Sequence, residues 1–329
     1  MPFELPPAGE CCRVAEGVWW FRLPLPYVLD HVDLYLLEGD GERVLVDTGH
    51  ADGTTQRLLA QVLGERLDRI LVTHFHPDHV GNAGHLAARY GAALSMPRPE
   101  WAMARMLAFE SDEAWGAALA AYDRLLGVES ELARRRLALG NTFARAVTAP
   151  PGSFRDLHDG ETVILAGIAF RIMRMGGHAP AHAALYDRGR RLLLAGDQIL
   201  PEISPVVGCW PDEPESDPLS AYLASLDRLA GLPEDVLVLP GHGRPFRGLH
   251  ARIDAVRAHH EARLARALDL CRDWATPAEV AFALFDRPLD ETTVAFALAE
   301  ALAHLNHLHR RGDLERESGA DGAWRFRRR

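Results

Sequence analysis

The run Thr73-His74-Phe75-His76-Pro77-Asp78-His79 packs three imidazoles and a carboxylate into one short stretch. It follows the apolar run RILVT and precedes a helical pattern, which places it on a loop at a strand end, where α/β proteins gather their sites. In the extended part His74 and His76 point the same way, because side chains alternate with a period of two. Asp78 and His79 then turn toward a neighbouring point. Neutral imidazole and carboxylate are the borderline-to-hard donors that Zn2+, Fe2+ and Mn2+ accept. Three later positions repeat the theme, each at the end of an apolar strand: His178 within MGGHAPAH, Asp197 after LLLAG, and His242 within PGHG after VLVLP. Neighbouring glycines let backbone approach a cation closely. A lone strand-end Asp or His is structural more often than not, but this set reads as a metal centre. His50, His85, His259 and His260 stand outside it and are read as non-ligands.

The elements that must position these residues follow from periodicity. Residues 18–22, 31–38 and 43–47 are short β-rich runs, the last two split by the hairpin signal Gly39-Asp40-Gly41. Helical spacing over 54–67, a buried strand at 69–73, a helix at 85–90 and an extended run at 92–95 make a mixed α/β pattern. Residues 97–151 depart from it: Trp101, Met103, Met106, Leu107, Phe109, Trp115, Leu119, Tyr122 and Leu125 recur at helical spacing up to Pro150-Pro151-Gly152. This insert is expected to be an amphipathic helical pair packed on the domain, with a lid over the site as the sharper alternative. Strand signals resume at 162–165, 169–173, 182–186, 191–194 and 236–239. An arginine-rich helix over 251–272 leads out of the first domain, residues 1–250, into a second, residues 251–329. There the expected elements are helices over 276–284 and 290–310 and two extended runs around Gly319 and Gly322, a winged-helix-like arrangement.

Composition bounds the function. Over 329 residues, 48% apolar and 25% charged is the balance of a folded globular protein. A net charge of -10 disfavours a nucleic-acid partner without excluding one, and a small-molecule substrate is expected. All 36 basic residues are arginine, so a Walker loop and a lysine Schiff base are excluded. No apolar run reaches the ~18 residues of a membrane span, and the first residues carry prolines and acids where a signal peptide would be basic and apolar. Cys11, Cys12, Cys209 and Cys271 form no C-x-x-C pair and suit a reducing, cytoplasmic compartment, with vicinal Cys11-Cys12 read as ordinary thiols. A homodimer is left open.

Taken in order, Asp47-Thr48-Gly49, the His74-to-His79 motif, His178, Asp197 and His242 make the chain resemble the metallo-β-lactamase-fold superfamily over about residues 15–250. The C-terminal helices resemble the winged-helix extension of the branch near lactamase-like protein 2, with glyoxalase II a more distant cousin. The resemblance implies an α+β fold, an αββα sandwich carrying two metals on one edge. It implies that His74, His76 and His178 hold the first, that Asp78, His79 and His242 hold the second, and that Asp197 bridges both. Two Zn2+ per chain are expected, with iron or manganese as alternatives. A bridging hydroxide would attack the substrate, Asp78 would be the catalytic residue orienting it, and Asp47 and His182 would orient ligands through hydrogen bonds.

Departures narrow the resemblance. GHAPAH stands where the family often has GHTPGH. Class B β-lactamases lack the full ligand set, so antibiotic hydrolysis is disfavoured. The lysine-containing substrate site of glyoxalase II has no counterpart, and the diiron flavoprotein branch has glutamate where this chain has His76. The expected function is hydrolysis of a small ester-like substrate, thioester or lactone, with the insert walling an acyl chain and Arg98 or Arg105 meeting a phosphate or carboxylate. Two alternatives are an endoribonuclease, motivated by the C-terminal domain and Arg325, Arg327, Arg328 and Arg329, and a mononuclear-iron persulfide dioxygenase. For the tail, packing or dimerisation is favoured over RNA binding.

Overall fold

The computed structural model describes residues 4–7, 9–285 and 293–329. The strands are β1 (Cys12–Ala15), β2 (Val18–Pro24), β3 (His31–Gly39), β4 (Glu42–Val46), β5 (Arg69–Leu71), β6 (Ala93–Met96), β7 (Arg155–Asp156), β8 (Thr162–Leu165), β9 (Ile168–Met175), β10 (His182–Asp187), β11 (Leu192–Gly196), β12 (Leu237–Pro240), β13 (Leu314–Ser318) and β14 (Trp324–Arg328). The helices are α1 (Gly53–Leu63), α2 (Pro77–Val80), α3 (Ala83–Tyr90), α4 (Arg98–Phe109), α5 (Asp112–Leu126), α6 (Ser130–Ala138), α7 (Thr142–Ala146), α8 (Pro218–Ala230), α9 (Leu249–Leu270), α10 (Pro277–Leu284) and α11 (Thr293–Arg311).

One sheet runs in chain order from β1 to β7, and a second has the order β12-β11-β10-β9-β8. The alternation of side chains along the strands shows how the layers stack. Ile172, Ala183, Leu185, Leu192 and Leu194 join Trp20, Tyr35, Val44 and Leu71 in a core between the two sheets. Their neighbours Met173, Ala184, Leu193 and Ala195 point the other way, into a core shared with α8, α9 and α11. On the far side of the first sheet, Phe21, Leu34, Leu45 and Ile70 pack against Leu59 and Leu63 of α1 and Leu86 of α3. Helices therefore cover both outer faces of the paired sheets, the expected αββα sandwich. Strands buried on both faces read as nearly continuous apolar runs, as LLLAG does.

Several expectations are corrected. The insert is four helices, α4 to α7, instead of a pair, because Ser111 caps α5, Gly127 ends it in the left-handed region, and Asn141 caps α7. It also straddles the molecule: Trp101, Met103 and Leu107 lie on the first sheet's helical layer, while Leu119, Tyr122 and Leu126 enter the core beside α8. Arg98 and Arg105, expected to meet a substrate anion, have partners within the protein, and the Arg98 side chain stays exposed. Arg98 pairs with Asp156 over the Phe154 ring, and Arg105 donates to the Pro150 carbonyl while lying over Trp101 and Phe109. Helix α1 stops at Gly64, short of the expected Leu67. Helix α8 lies outside the expected elements, although Asp217 caps it and Leu219, Tyr222, Leu226 and Leu229 are spaced for it. The start expected for the last long helix, Asp290, lies outside the described residues.

The C-terminal helices share one core with the second sheet. Thr276 and Glu279 form a capping box at α10, and β13 and β14 make a hairpin whose Leu314, Trp324 and Phe326 are buried with Leu298 and Leu302 of α11. Two of the tail arginines are already engaged: Arg325 by Asp321, and Arg327 by Glu315 while it lies over Trp274. No helix among the described residues is long and apolar enough to cross a membrane.

Candidate metal centre

All the expected ligands, and Asp47 expected to orient them, leave one edge of the sandwich. Asp47 follows β4, the His74-to-His79 loop follows β5, His178 lies between β9 and β10, Asp197 follows β11, and His242 follows β12. β4 and β5 are parallel neighbours, as are β11 and β12, so their C-terminal ends open on the same side. Two glycines permit the crowding. A Cβ at Gly177, where φ is +107°, would lie 2.3 Å from that of Tyr222, and one at Gly241 would lie 2.2 Å from Asp197 Oδ1.

Three groups of donors lie within 4.8 Å of one another: His74, His76 and His178; His74, His79 and Asp197; and Asp78, His79 and His242. In the first, His74 Nε2 stands 3.0 Å from His76 Nδ1 and 3.2 Å from His178 Nε2. Asp197 lies between the halves, with Oδ2 3.6 Å from His178 Nε2 and 3.2 Å from His242 Nε2, and Oδ1 3.4 Å from His79 Nε2. Asp78 Oδ2 closes the second half, 3.3 Å from His242 Nε2. The buried atoms His79 Nε2 and Asp197 Oδ1 have no hydrogen-bond partner. Orphaned buried donors and acceptors are costly, and a cation held between lone pairs is the group this donor set fits.

The opposite ring nitrogens fix which lone pairs face inward. His178 Nδ1 donates to the Val206 carbonyl at 2.8 Å, and His242 Nδ1 to that of His31 at 2.6 Å. His79 Nδ1 donates to Asp47 Oδ2 at 2.9 Å. His74 Nδ1 donates to Thr73 Oγ1, whose own proton goes to Asp47. Asp47 thus orients two imidazoles at once, from a left-handed φ of 62° that a non-glycine residue holds only when its surroundings insist. His182 accepts the Asp197 backbone N–H at 3.1 Å, which places it behind the carboxylate and not among the inward-facing donors.

Electrostatics divide the centre. Burial pushes the His76 imidazole down to about 3, with neighbouring His178 adding to the fall, and burial also lowers His74 and His178. These three stay neutral, the form in which imidazole ligates. His242 is also opposed by burial, but Asp197 and Asp78 raise it to about 10. His79 is raised against burial by Asp197, Asp78 and Asp47. The carboxylates of Asp78 and Asp197 are held low despite burial by the same two rings.

Other contributors carried no sequence signal. Arg22 binds Asp33 and donates to the Gly243 carbonyl, steadying the His242 loop from β2 and β3. Asn82 donates to the carbonyls of Thr48 and His50. Glu100, in the insert, accepts from the backbone of Phe75 and Ala181. Each acts across a long stretch of chain, and none belongs to a recognisable local pattern.

Comparison with known proteins agrees with this geometry. Residues 28–242 match the metallo-beta-lactamase superfamily, and residues 264–329 match the metallo-beta-lactamase-like C-terminal domain. The fold is similar to that of a beta-lactamase domain protein from Burkholderia ambifaria, at 35% identity and a TM-score of 0.92, covering 100% of this chain and 97% of that one. It is also similar to a metallo-beta-lactamase family protein from Thermus thermophilus, at 34% identity and a TM-score of 0.83, covering 96% and 100%. A hydroxyacylglutathione hydrolase of Aeromonas hydrophila is 26% identical over 209 residues, 64% of this chain and 60% of that relative. The chain belongs to the metallo-beta-lactamase superfamily and is a hydrolase of that superfamily.

Proposed function

We propose that the chain hydrolyses a small ester-like substrate, a thioester or lactone, with two divalent cations, zinc first among them. The observation that carries this reading is the convergence of His74, His76, His178, Asp197, Asp78, His79 and His242 around orphaned inward-facing atoms. His74, His76 and His178 would hold one cation, Asp78, His79 and His242 the other, and Asp197 would face both. Bound there, such cations acidify water and polarise a carbonyl. Asp78 is the more open of the two carboxylates, 18% exposed against 8% for Asp197, so it is the one placed to accept a hydrogen bond from an attacking water and orient it. Asp47 and His182 keep His79, His74 and Asp197 aimed while charge develops. The hydroxyacylglutathione hydrolase relative supports an acyl substrate. The pairing of Arg325 and Arg327 within the hairpin supports a packing role for the winged-helix-like region over RNA binding. The free thiols support a reducing, cytoplasmic setting.

The test is metal analysis of protein purified without chelator, followed by a panel of acyl thioesters and lactones. About two zinc ions per chain and turnover that chelator abolishes and zinc restores are expected. An absence of metal-dependent turnover across the panel would overturn the substrate class. One iron per chain with oxygen consumption would replace hydrolysis by the dioxygenase reading.

A further inference from the structure

One residue of the insert, Glu100, hydrogen-bonds two of the loops that form the centre. Glu100 sits in the first turn of α4 and is fully buried. Its carboxylate accepts the backbone N–H of Phe75 at 3.0 Å through one oxygen and that of Ala181 through the other. Phe75 lies between His74 and His76, and Ala181 lies between His178 and His182. One side chain therefore ties together the two loops that supply all three imidazoles of the first donor group. The chemistry is specific to an ionised acid. Two convergent donors need two acceptor oxygens, whereas an amide offers one oxygen and turns an NH2 toward the other N–H. Keeping a carboxylate here is costly: burial pushes its carboxyl up to about 7 against the pull of the two N–H groups.

We propose that Glu100 is a positioning residue that sets the spacing of the His74–His76 loop against the His178 loop, and thereby the affinity for a cation held by those three imidazoles. The inference rests on the proposed metal-hydrolase reading. It assigns the insert a role in shaping the first metal position, beyond covering apolar surface.

The experiment compares wild type with Glu100→Gln and Glu100→Ala. Zinc affinity at each position is measured by chelator competition, the visible absorption of the cobalt-loaded proteins is recorded, and thermal melts are run in chelator. Glu100→Gln is expected to bind the first zinc about 10- to 100-fold more weakly, with a shifted cobalt spectrum and the second zinc within about threefold of wild type. Glu100→Ala should lose more. A Glu100→Gln protein that melts lower in chelator but keeps the wild-type zinc constants and cobalt spectrum overturns the inference. Failure of Glu100→Gln to fold does so too, since the carboxylate would then be a plain structural tie. Wild type sets the baseline: if it binds no cation, the metal-hydrolase reading falls and this inference with it, whereas unchanged constants in the variant sink this inference alone.

Discussion

The molecule buries histidines in two places that look alike in composition and differ in kind. At the sandwich edge, His74, His76, His79, His178 and His242 face one another and the carboxylates of Asp78 and Asp197. Between α9 and α11, His260 Nδ1 meets His304 Nε2 at 3.3 Å, and His304 Nδ1 donates to the Glu300 carbonyl at 2.7 Å. Burial lowers both of the latter rings, His260 to about 3 and His304 to about 4, as it lowers His74, His76 and His178. Burial and neutrality therefore do not distinguish a ligand. The edge centre differs by having carboxylates interleaved with the rings, the outer nitrogens of His178, His242, His79 and His74 committed to carbonyls, Asp47 or Thr73, and two inward atoms, His79 Nε2 and Asp197 Oδ1, left without partners. Among the described residues, every group of three donors close enough to share an ion lies at the edge.

The sharpest way to break this comparison is Asp197→Ala. It should lower the bound cations from two to one or none and reduce hydrolysis more than about 100-fold, while His304→Gln should leave metal content unchanged. Elemental analysis of both variants decides, and an Asp197→Ala protein that still holds two cations would remove Asp197 from its place between the halves. Next in size is metal removal itself. If free zinc stands at about 1,000 times its dissociation constant, chelation should cost about 4 kcal/mol of unfolding free energy. Urea unfolding with and without chelator should show that loss in wild type and a smaller one in Asp197→Ala.

Asp47→Asn tests the layer behind the ligands. It should weaken zinc binding about 10- to 100-fold without removing a ligand, read by chelator competition, and an unchanged affinity would reduce Asp47 to a backbone fixture. At neutral pH the smallest effect belongs to the other histidines, and it appears only on acidification. Their native values lie below the 6.5 of free imidazole, so the unfolded chain takes up protons that the native pair refuses as pH falls from about 6.5 toward 4. Their contribution to stability is complete above about 6.5 and declines below it, by at most about 1.4 kcal/mol per pH unit for each ring. His304→Gln should flatten that part of the stability profile measured in urea. A slope equal to wild type would show that other groups govern it.

Much of the centre was legible in the chain. H-x-H-x-D-H and the strand-end His178, Asp197 and His242 each depend on local pattern, an apolar run followed by a donor, and the fold places all of them at one edge. The insert was less legible. Its apolar spacing marks helix, but Ser111, Gly127 and Asn141 divide that helix into four, and the pattern does not say which core each piece enters. Helix α8 is readable after the fact in Leu219, Tyr222, Leu226 and Leu229. The partners of Arg98 and Arg105 were equally hidden from the pattern: Asp156, Pro150 and aromatic rings meet these cations from distant parts of the chain.

The sequence by itself determined the donor types, their order, and their attachment to strand ends, because side-chain alternation and turn-forming glycines act over a few residues. Asp197 between the halves and Asp47 behind the ligands were implied only by family resemblance; tertiary packing makes those contacts, and it alone decided that Asp47 serves both His79 and His74 and that Glu100 joins Phe75 to Ala181. Glu100 and Ala181 alone stand 81 residues apart in the chain. The partners in these contacts are backbone groups or single side chains brought together by the packing of two sheets, and no local periodicity encodes which of them will meet.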